Sequence, residues 1–271
     1  MEKYSADAVR YWAASTRLGR DSIISEEKIS VGKKLVTKLW NVARFALSFL
    51  EAYQPPQDIP NLLPLDRWLF SRLQRTIQKA TASFRDYDYV SAKDEVESFF
   101  WNLLADNYLE MVKTRLYELD DGDPQKESAK YTLHVSLLAI IKMFAPITPY
   151  ITEEIFQNYY VKYEPEISLH ASKWPEASAQ LVDDSAEILG DALVGIATEV
   201  RRYKSANQMP LGTSLSRLQV SSSNQELLAG LQTSILDIKS VTRAQTIDFS
   251  HIPSLKASAV SDIENLWVAI E

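Results

Sequence analysis

Residues 33–47 read KKLVTKLWNVARFAL. At about 100° per residue, Leu35, Val36, Leu39, Trp40, Val42, Ala43, Ala46 and Leu47 share one broad side of a helix. Lys33, Lys34, Thr37, Lys38, Asn41 and Arg44 share the other. Phe45 breaks the pattern: it stands i+4 from Asn41, i+7 from Lys38 and i+11 from Lys34, within the basic stripe. The same periodicity predicts a helix over 5–16 with Ser5 as its cap. Another helix, opened by SEEK at 25–28, runs to about Tyr53 with carboxylates in its first turn. QPPQDIPNLLP at 54–64 is a proline-punctuated linker. Long helices follow over about 65–84, 89–119 and 125–145, with DDGDP at 120–124 as a loop, and a shorter one over ITEEIFQNYY. Long helices joined by short connections predict an antiparallel bundle. Phe99, Phe100, Leu103, Leu104, Leu109, Leu137, Leu138, Ile140 and Ile141 are candidates for its core, and Trp12, Trp40, Trp68 and Trp101 are placed there too.

EPEISLHASKWPEAS at 164–178 breaks this pattern and reads as an extended crossing strand plus linker. Beyond it, 181–206 predicts one more helix, ending in the basic cluster RRYK. SLSRLQV alternates as a strand does. Residues 223–239 read as short helical pieces, and SVTRAQTIDFS and LKASAVSDIENLWVAIE as further strands. The fold class is therefore mainly α: a helical bundle followed by a small α/β domain. The division is 1–24 as a junction segment, 25–177 as the bundle and 178–271 as the small domain.

Composition narrows the chemistry. The 271 residues carry a formal net charge of −7, so the chain as a whole does not advertise polyanion binding. Yet Lys28 to Arg44 holds five basic residues and no acidic one, a local field suited to a selective polyanion contact or to an ordinary solvated face. There is no cysteine, which excludes disulfides and thiolate metal sites. His134, His170 and His251 are far apart and form no metal-ligand spacing. No apolar run reaches the ~20 residues of a membrane span. GxxxxGK[ST], GxGxxG and GxSxG are all lacking. Carboxylate pairs such as Asp120–Asp121, Glu153–Glu154 and Asp183–Asp184 fall at helix starts or in loops. The chain reads as a binding or structural module, not a complete enzyme.

KYSADAVRYWAAS, followed by RDSIISEEKISVGKKLVTKLWNVARF, resembles class I valyl-tRNA synthetases after their second ATP-binding signature. The pattern there is Y-G-A-D-A-[LV]-R-[FY]-W, a turn, and a helix carrying K-L-W-N-A-x-R-F. The likeness continues through DRWLFSRL (66–73), YDYVSAKDEVESFFWNLLADNYLEMVKTRL (87–116), FAPITPYITEEIFQ (144–157) and HASKWPE (170–176), in order over about 176 residues. VRRYKSANQMPLGTSL (200–215) matches more weakly. Ser5 stands where glycine is usual, and APITPY where HPFMPF is commoner. The resemblance implies a class Ia anticodon-binding bundle whose parent joins valine to its tRNA using ATP. The catalytic and editing domains would lie upstream, so the segment alone would be non-catalytic and would need no cofactor of its own. It implies a cytoplasmic location, tRNA(Val) and the parent's catalytic domain as partners, and no membrane. Asp7 and Arg10 would hold the junction.

On that resemblance, Asn41 and Phe45 match anticodon contacts. Single-stranded bases are read by stacking on rings and by hydrogen bonds to their edges. Lys34, Lys38 and Arg44 would meet phosphates, which position without reading. Lys113, Arg115, Arg201, Arg202 and Lys204 are candidate contacts to the tRNA backbone. The alternatives are a covered Phe45 packed under another helix or the 54–64 linker, the same region of an isoleucyl relative, and a helical scaffold that contacts proteins.

Overall fold

A computed structural model describes residues 3–19, 21, 24–254 and 256–271; Met1, Glu2, Arg20, Ser22, Ile23 and Leu255, and the motif positions among them, lie outside the described residues. The chain is mostly helical with one small mixed sheet. The helices are α1 (Ala6–Ala13), α2 (Glu26–Ser48), α3 (Pro64–Arg85), α4 (Tyr89–Ser98), α5 (Leu109–Glu118), α6 (Pro124–Phe144), α7 (Pro149–Tyr159) and α8 (Asp184–Ala206). After them come β1 (Leu215–Ser222), α9 (Gln225–Thr233), α10 (Ile235–Thr242), β2 (Ala244–Ser250), β3 (Ser258–Ala259) and β4 (Leu266–Ile270). A π-helical stretch, Phe99–Tyr108, joins α4 to α5.

The chain divides into two compact units that interleave along the sequence. The first comprises Met1–Asp58, Leu73–Trp101 and Lys130–Ala179; the second comprises Ile59–Arg72, Asn102–Ala129 and Gln180–Glu271. The sequence division into 1–24, 25–177 and 178–271 is one of consecutive segments. The two divisions share a boundary near residue 179 and differ elsewhere, because Ile59–Arg72 and Asn102–Ala129 pack with the C-terminal part.

In the first unit, α2 starts where Ser25 Oγ accepts from the Lys28 amide, and Glu26 and Glu27 favour its N-terminus. Its apolar stripe, Leu35, Leu39, Val42, Ala43 and Ala46, is buried as the periodicity requires. Gly32 lets α1 approach closely: a Cβ there would stand 2.7 Å from the Ala8 carbonyl oxygen. Three polar anchors hold α1. The buried Asp7 carboxylate accepts from the amides of Tyr150 (3.2 Å) and Ile151 (2.7 Å) at the start of α7, a charge well placed on a helix N-terminus. Arg10 donates to the carbonyls of Pro146 (2.7 Å) and Ile147 (3.2 Å). The Tyr11 hydroxyl donates to Glu97, and Lys93, itself buried, donates to the same carboxylate at 2.9 Å. Burial and Glu97 push the Tyr11 hydroxyl up to about 12.

The second unit is centred on α8 and the sheet. The sheet order is β2-β1-β4-β3, with β1 parallel to β2 and antiparallel to β4, and β3 antiparallel to β4. Trp68 is fully buried against Gly190, where a Cβ would stand 2.0 Å from the indole, and its Nε1 donates to Asp191 at 3.0 Å. Three expectations change. Residues 164–178 form no strand; Ser168 caps a 3-10 turn over Leu169–Ala171, and Trp174 turns back to α3, donating to Thr81 at 2.8 Å. Trp12, Trp40 and Trp101 are half-buried, unlike Trp68, since large indoles commonly keep an edge in water. The helix expected as one element over 89–119 is continuous but π-wound in its middle.

Candidate functional site

The face of α2 opposite its buried stripe carries the residues singled out above. Lys34, Asn41 and Arg44 are exposed, while Lys38 and Phe45 are half-buried. Their order is a consequence of helical geometry. Lys34, Lys38, Asn41 and Phe45 follow at spacings of four, three and four, so they line one side over about 16 Å of axis. The Phe45 ring meets Phe49 at 5.2 Å, edge to face at 72°, which fixes its tilt while leaving part of it in solvent. Full coverage of Phe45 by a second helix or by the linker is not what the structure has. The Lys38 ammonium stands over the Trp101 indole, 5.1 Å from its centroid. The stripe therefore presents an amide, an aromatic ring and three cations on one rigid helix.

The second set of basic residues behaves differently, and two of them are corrected. Arg115 is 0% exposed. Its guanidinium donates to Asp66 (2.8 and 3.1 Å) and Asp237 (2.8 Å), so it has no surface to offer a phosphate. The Tyr108 hydroxyl donates to Asp66, and Ser128 completes the cluster. Burial pushes the Asp237 carboxyl up to about 6 against the pull of Arg115. Lys204 is also buried. It donates to the carbonyls of Leu211 and Thr242, both at 2.9 Å, and burial lowers its pKa from the ordinary lysine value. Both residues are internal braces of the second unit and not contacts to an RNA backbone.

The remaining three are partly engaged. Arg201 donates to the Asn107 side chain (2.8 Å) and the Asp106 carbonyl (2.7 Å). Lys113 pairs with Glu110 at 2.7 Å. Arg202 pairs with Glu199 at 3.0 Å and keeps 61% of its side chain exposed, the most open cation of that cluster. Among the described residues no group of three His, Asp or Glu side chains converges as metal ligands do. No helix of the described residues is long and apolar enough to cross a membrane.

The chain itself is similar to known proteins. Residues 66–220, more than half of the chain, match the family described as the anticodon-binding domain of tRNA ligase. The valine–tRNA ligase of Ehrlichia ruminantium (strain Welgevonden) is 37% identical over 248 residues, covering 91% of this chain and 30% of that protein. That of the Wolbachia of Brugia malayi (strain TRS) is 35% identical over 272 residues, covering 100% of this chain and 31% of that protein. The valine–tRNA ligase of Methanopyrus kandleri is 34% identical over 252 residues, covering 92% of this chain and 27% of that protein. The chain thus spans about three-tenths of the length of these relatives. In fold it is similar to a solved ternary complex, the agnB2 LeuRS–tRNA–LeuAMS complex of Agrobacterium radiobacter K84, at a TM-score of 0.50 and 20% identity, over 67% of this chain and 21% of that one. The chain belongs to the anticodon-binding domain family of tRNA ligases, and valine–tRNA ligases match it across nine-tenths of its length or more.

Proposed function

We propose that this chain is the tRNA-binding part of a valine–tRNA ligase and that α2 reads the anticodon loop of tRNA(Val). The observation that carries the reading is the row on α2: Asn41 exposed, Phe45 half-buried with part of its ring in solvent, and Lys34 and Arg44 exposed beside them. A base stacked on Phe45 leaves its edge free, and the Asn41 amide one turn earlier offers both a donor and an acceptor to such an edge. Lys34, Lys38 and Arg44 neutralise the flanking phosphates. The helical part is read as the antiparallel bundle of class I enzymes, and the family match over residues 66–220 supports this. In the whole protein, a catalytic domain would attach valine to the tRNA with ATP, in the cytoplasm. This segment would supply recognition and no chemical step.

The test is a titration of the 271-residue chain with a labelled tRNA(Val) anticodon stem-loop and with the same stem-loop carrying an isoleucine anticodon. The valine loop is expected to bind more tightly. Phe45→Ala is expected to cost ~1–3 kcal/mol of that affinity, the contribution of one base–ring stack. Equal affinity for both loops, untouched by Phe45→Ala, would overturn the reading.

A further inference from the structure

We propose that Trp101 is a positioning residue of the α2 face. Its indole holds the Lys38 ammonium in place, so that an RNA phosphate meets a cation already fixed. This inference rests on the RNA-binding reading of α2. Five observations converge on it. The Lys38 Nζ lies 5.1 Å from the centre of the Trp101 ring, within reach of the ring's negative face. Lys38 is half-buried, whereas Lys33 and Lys34 on the same helix are exposed. Trp101 itself is half-buried, although the two residues before it, Phe99 and Phe100, are 1% and 0% exposed. The Phe100 ring stands edge-on to the indole at 5.7 Å and steadies it. Lastly, Trp101 lies in the first turn of the π-wound stretch Phe99–Tyr108. Such winding is rare and frequently found at functional sites.

The physical consequence is preorganisation. A lysine has a long flexible stem and loses rotamer freedom when it grips a phosphate. A lysine already held against a ring has lost that freedom beforehand. The placement suits a loop lying along α2. Lys38 stands about 4.5 Å along the axis from Asn41 and about 10.5 Å from Phe45, on the same side. One end of the row is then a fixed cation, its middle an amide and its far end a stacking ring. With the ammonium over its face, Trp101 is a support for charge and not a second stacking platform.

The experiment uses the 271-residue chain and the labelled tRNA(Val) anticodon stem-loop. Trp101→Leu and Lys38→Met are each expected to weaken binding by about 3–10-fold. The double variant should be no weaker than the worse single, because the two residues act as one device. Trp101→Phe, which keeps a ring face, should bind within about two-fold of the parent chain. The Lys38 ε-methylene protons, shifted upfield by the indole, should move when the stem-loop is added. Wild-type binding by Trp101→Leu would overturn the proposal, as would losses that multiply in the double variant. Asn41→Ala and Phe45→Ala separate this from the wider reading. If they weaken binding while Trp101→Leu does not, the face binds RNA and the positioning role alone fails. If no variant weakens binding, the RNA-binding reading fails with it. Should Trp101→Leu lose its cooperative unfolding, the methylene shift decides: movement on adding RNA supports the role, and no movement overturns it.

Discussion

Arg115 sits where two carboxylates from distant parts of the second unit converge, and its guanidinium is the positive charge paired with both. Removing the guanidinium would leave Asp66 and Asp237 buried together. Arg115→Met is therefore expected to cost ~3–5 kcal/mol, as breaking one side of a buried ion pair does. Urea unfolding followed by circular dichroism measures it, and a loss below ~1 kcal/mol would show that the cluster is not the brace described. His134 gives the first unit a pH dependence of defined sign. It is buried among Tyr53, Tyr159, Tyr160 and Tyr163, its Nδ1 has no hydrogen-bond partner, and burial lowers its pKa to about 4. The unfolded chain takes up that proton near pH 6.5 and the folded chain only near 4. Stability from this group is thus complete above pH 6.5 and drains away as pH falls toward 4, by at most ~3 kcal/mol. His134→Phe removes the titration and keeps a ring in the cage. Its stability relative to the parent chain should improve steadily between pH 7 and 4. Parallel pH profiles for the two proteins would refute the assignment.

At the scale of elements, α1 and α2 depend on Gly32. Helix propensity alone favours Gly32→Ala by ~0.5–1 kcal/mol. The packing opposes it, because the new methyl would meet the Ala8 carbonyl oxygen at 2.7 Å and the Tyr11 ring at 2.9 Å. Backbone cannot swing aside as a side chain can, and α1 is tied by Asp7 and Arg10 to the turn before α7. Gly32→Ala is expected to destabilise by ~1–3 kcal/mol, measured by urea unfolding; a gain in stability would mean that α1 yields freely. The elements themselves were largely legible from periodicity. The α2 stripe, the helix over 184–206 and the β1 and β2 segments all follow the apolar pattern, because each buries one face. What was not legible is what depends on distant partners. Arg115 reads as a surface cation beside Lys113, yet it falls on the line Tyr108, Met111, Val112 and Arg115, the buried face of its helix. Lys204 likewise ends the buried line Ile196, Ala197, Val200. Those positions were the available signal. The carboxylate partners of Arg115 are 49 and 122 residues away, and the farther carbonyl partner of Lys204 is 38 away, beyond any local pattern. Trp101 was missed for a related reason: a tryptophan directly after two core phenylalanines reads as core unless the π-winding there is known.

At the scale of the whole molecule, the proposed RNA binding would have a chain of net charge −7 hold a polyanion through a small basic face. The surrounding acids repel RNA, so non-specific binding should be weak and the local stripe should dominate the electrostatics. Arg115 and Lys204 are internal, and the α2 cations proposed to meet phosphates are Lys34, Lys38 and Arg44. Three neutralised phosphates on a single-stranded loop predict that log K falls with log salt at a slope of about −2, from ~0.7 per contact. Replacing Lys34 with Met should lower the steepness by about 0.7 and leave the preference between anticodons intact, since a phosphate contact carries no sequence information. Asn41→Ala should do the reverse, keeping the slope and eroding the preference. Anisotropy titrations between about 50 and 200 mM salt measure both quantities in one series. A slope of −4 or steeper would bring in cations outside α2, with Arg202 first among them because it keeps most of its side chain in solvent. A slope near zero would mean that stacking on Phe45 and the Asn41 contact carry the affinity alone.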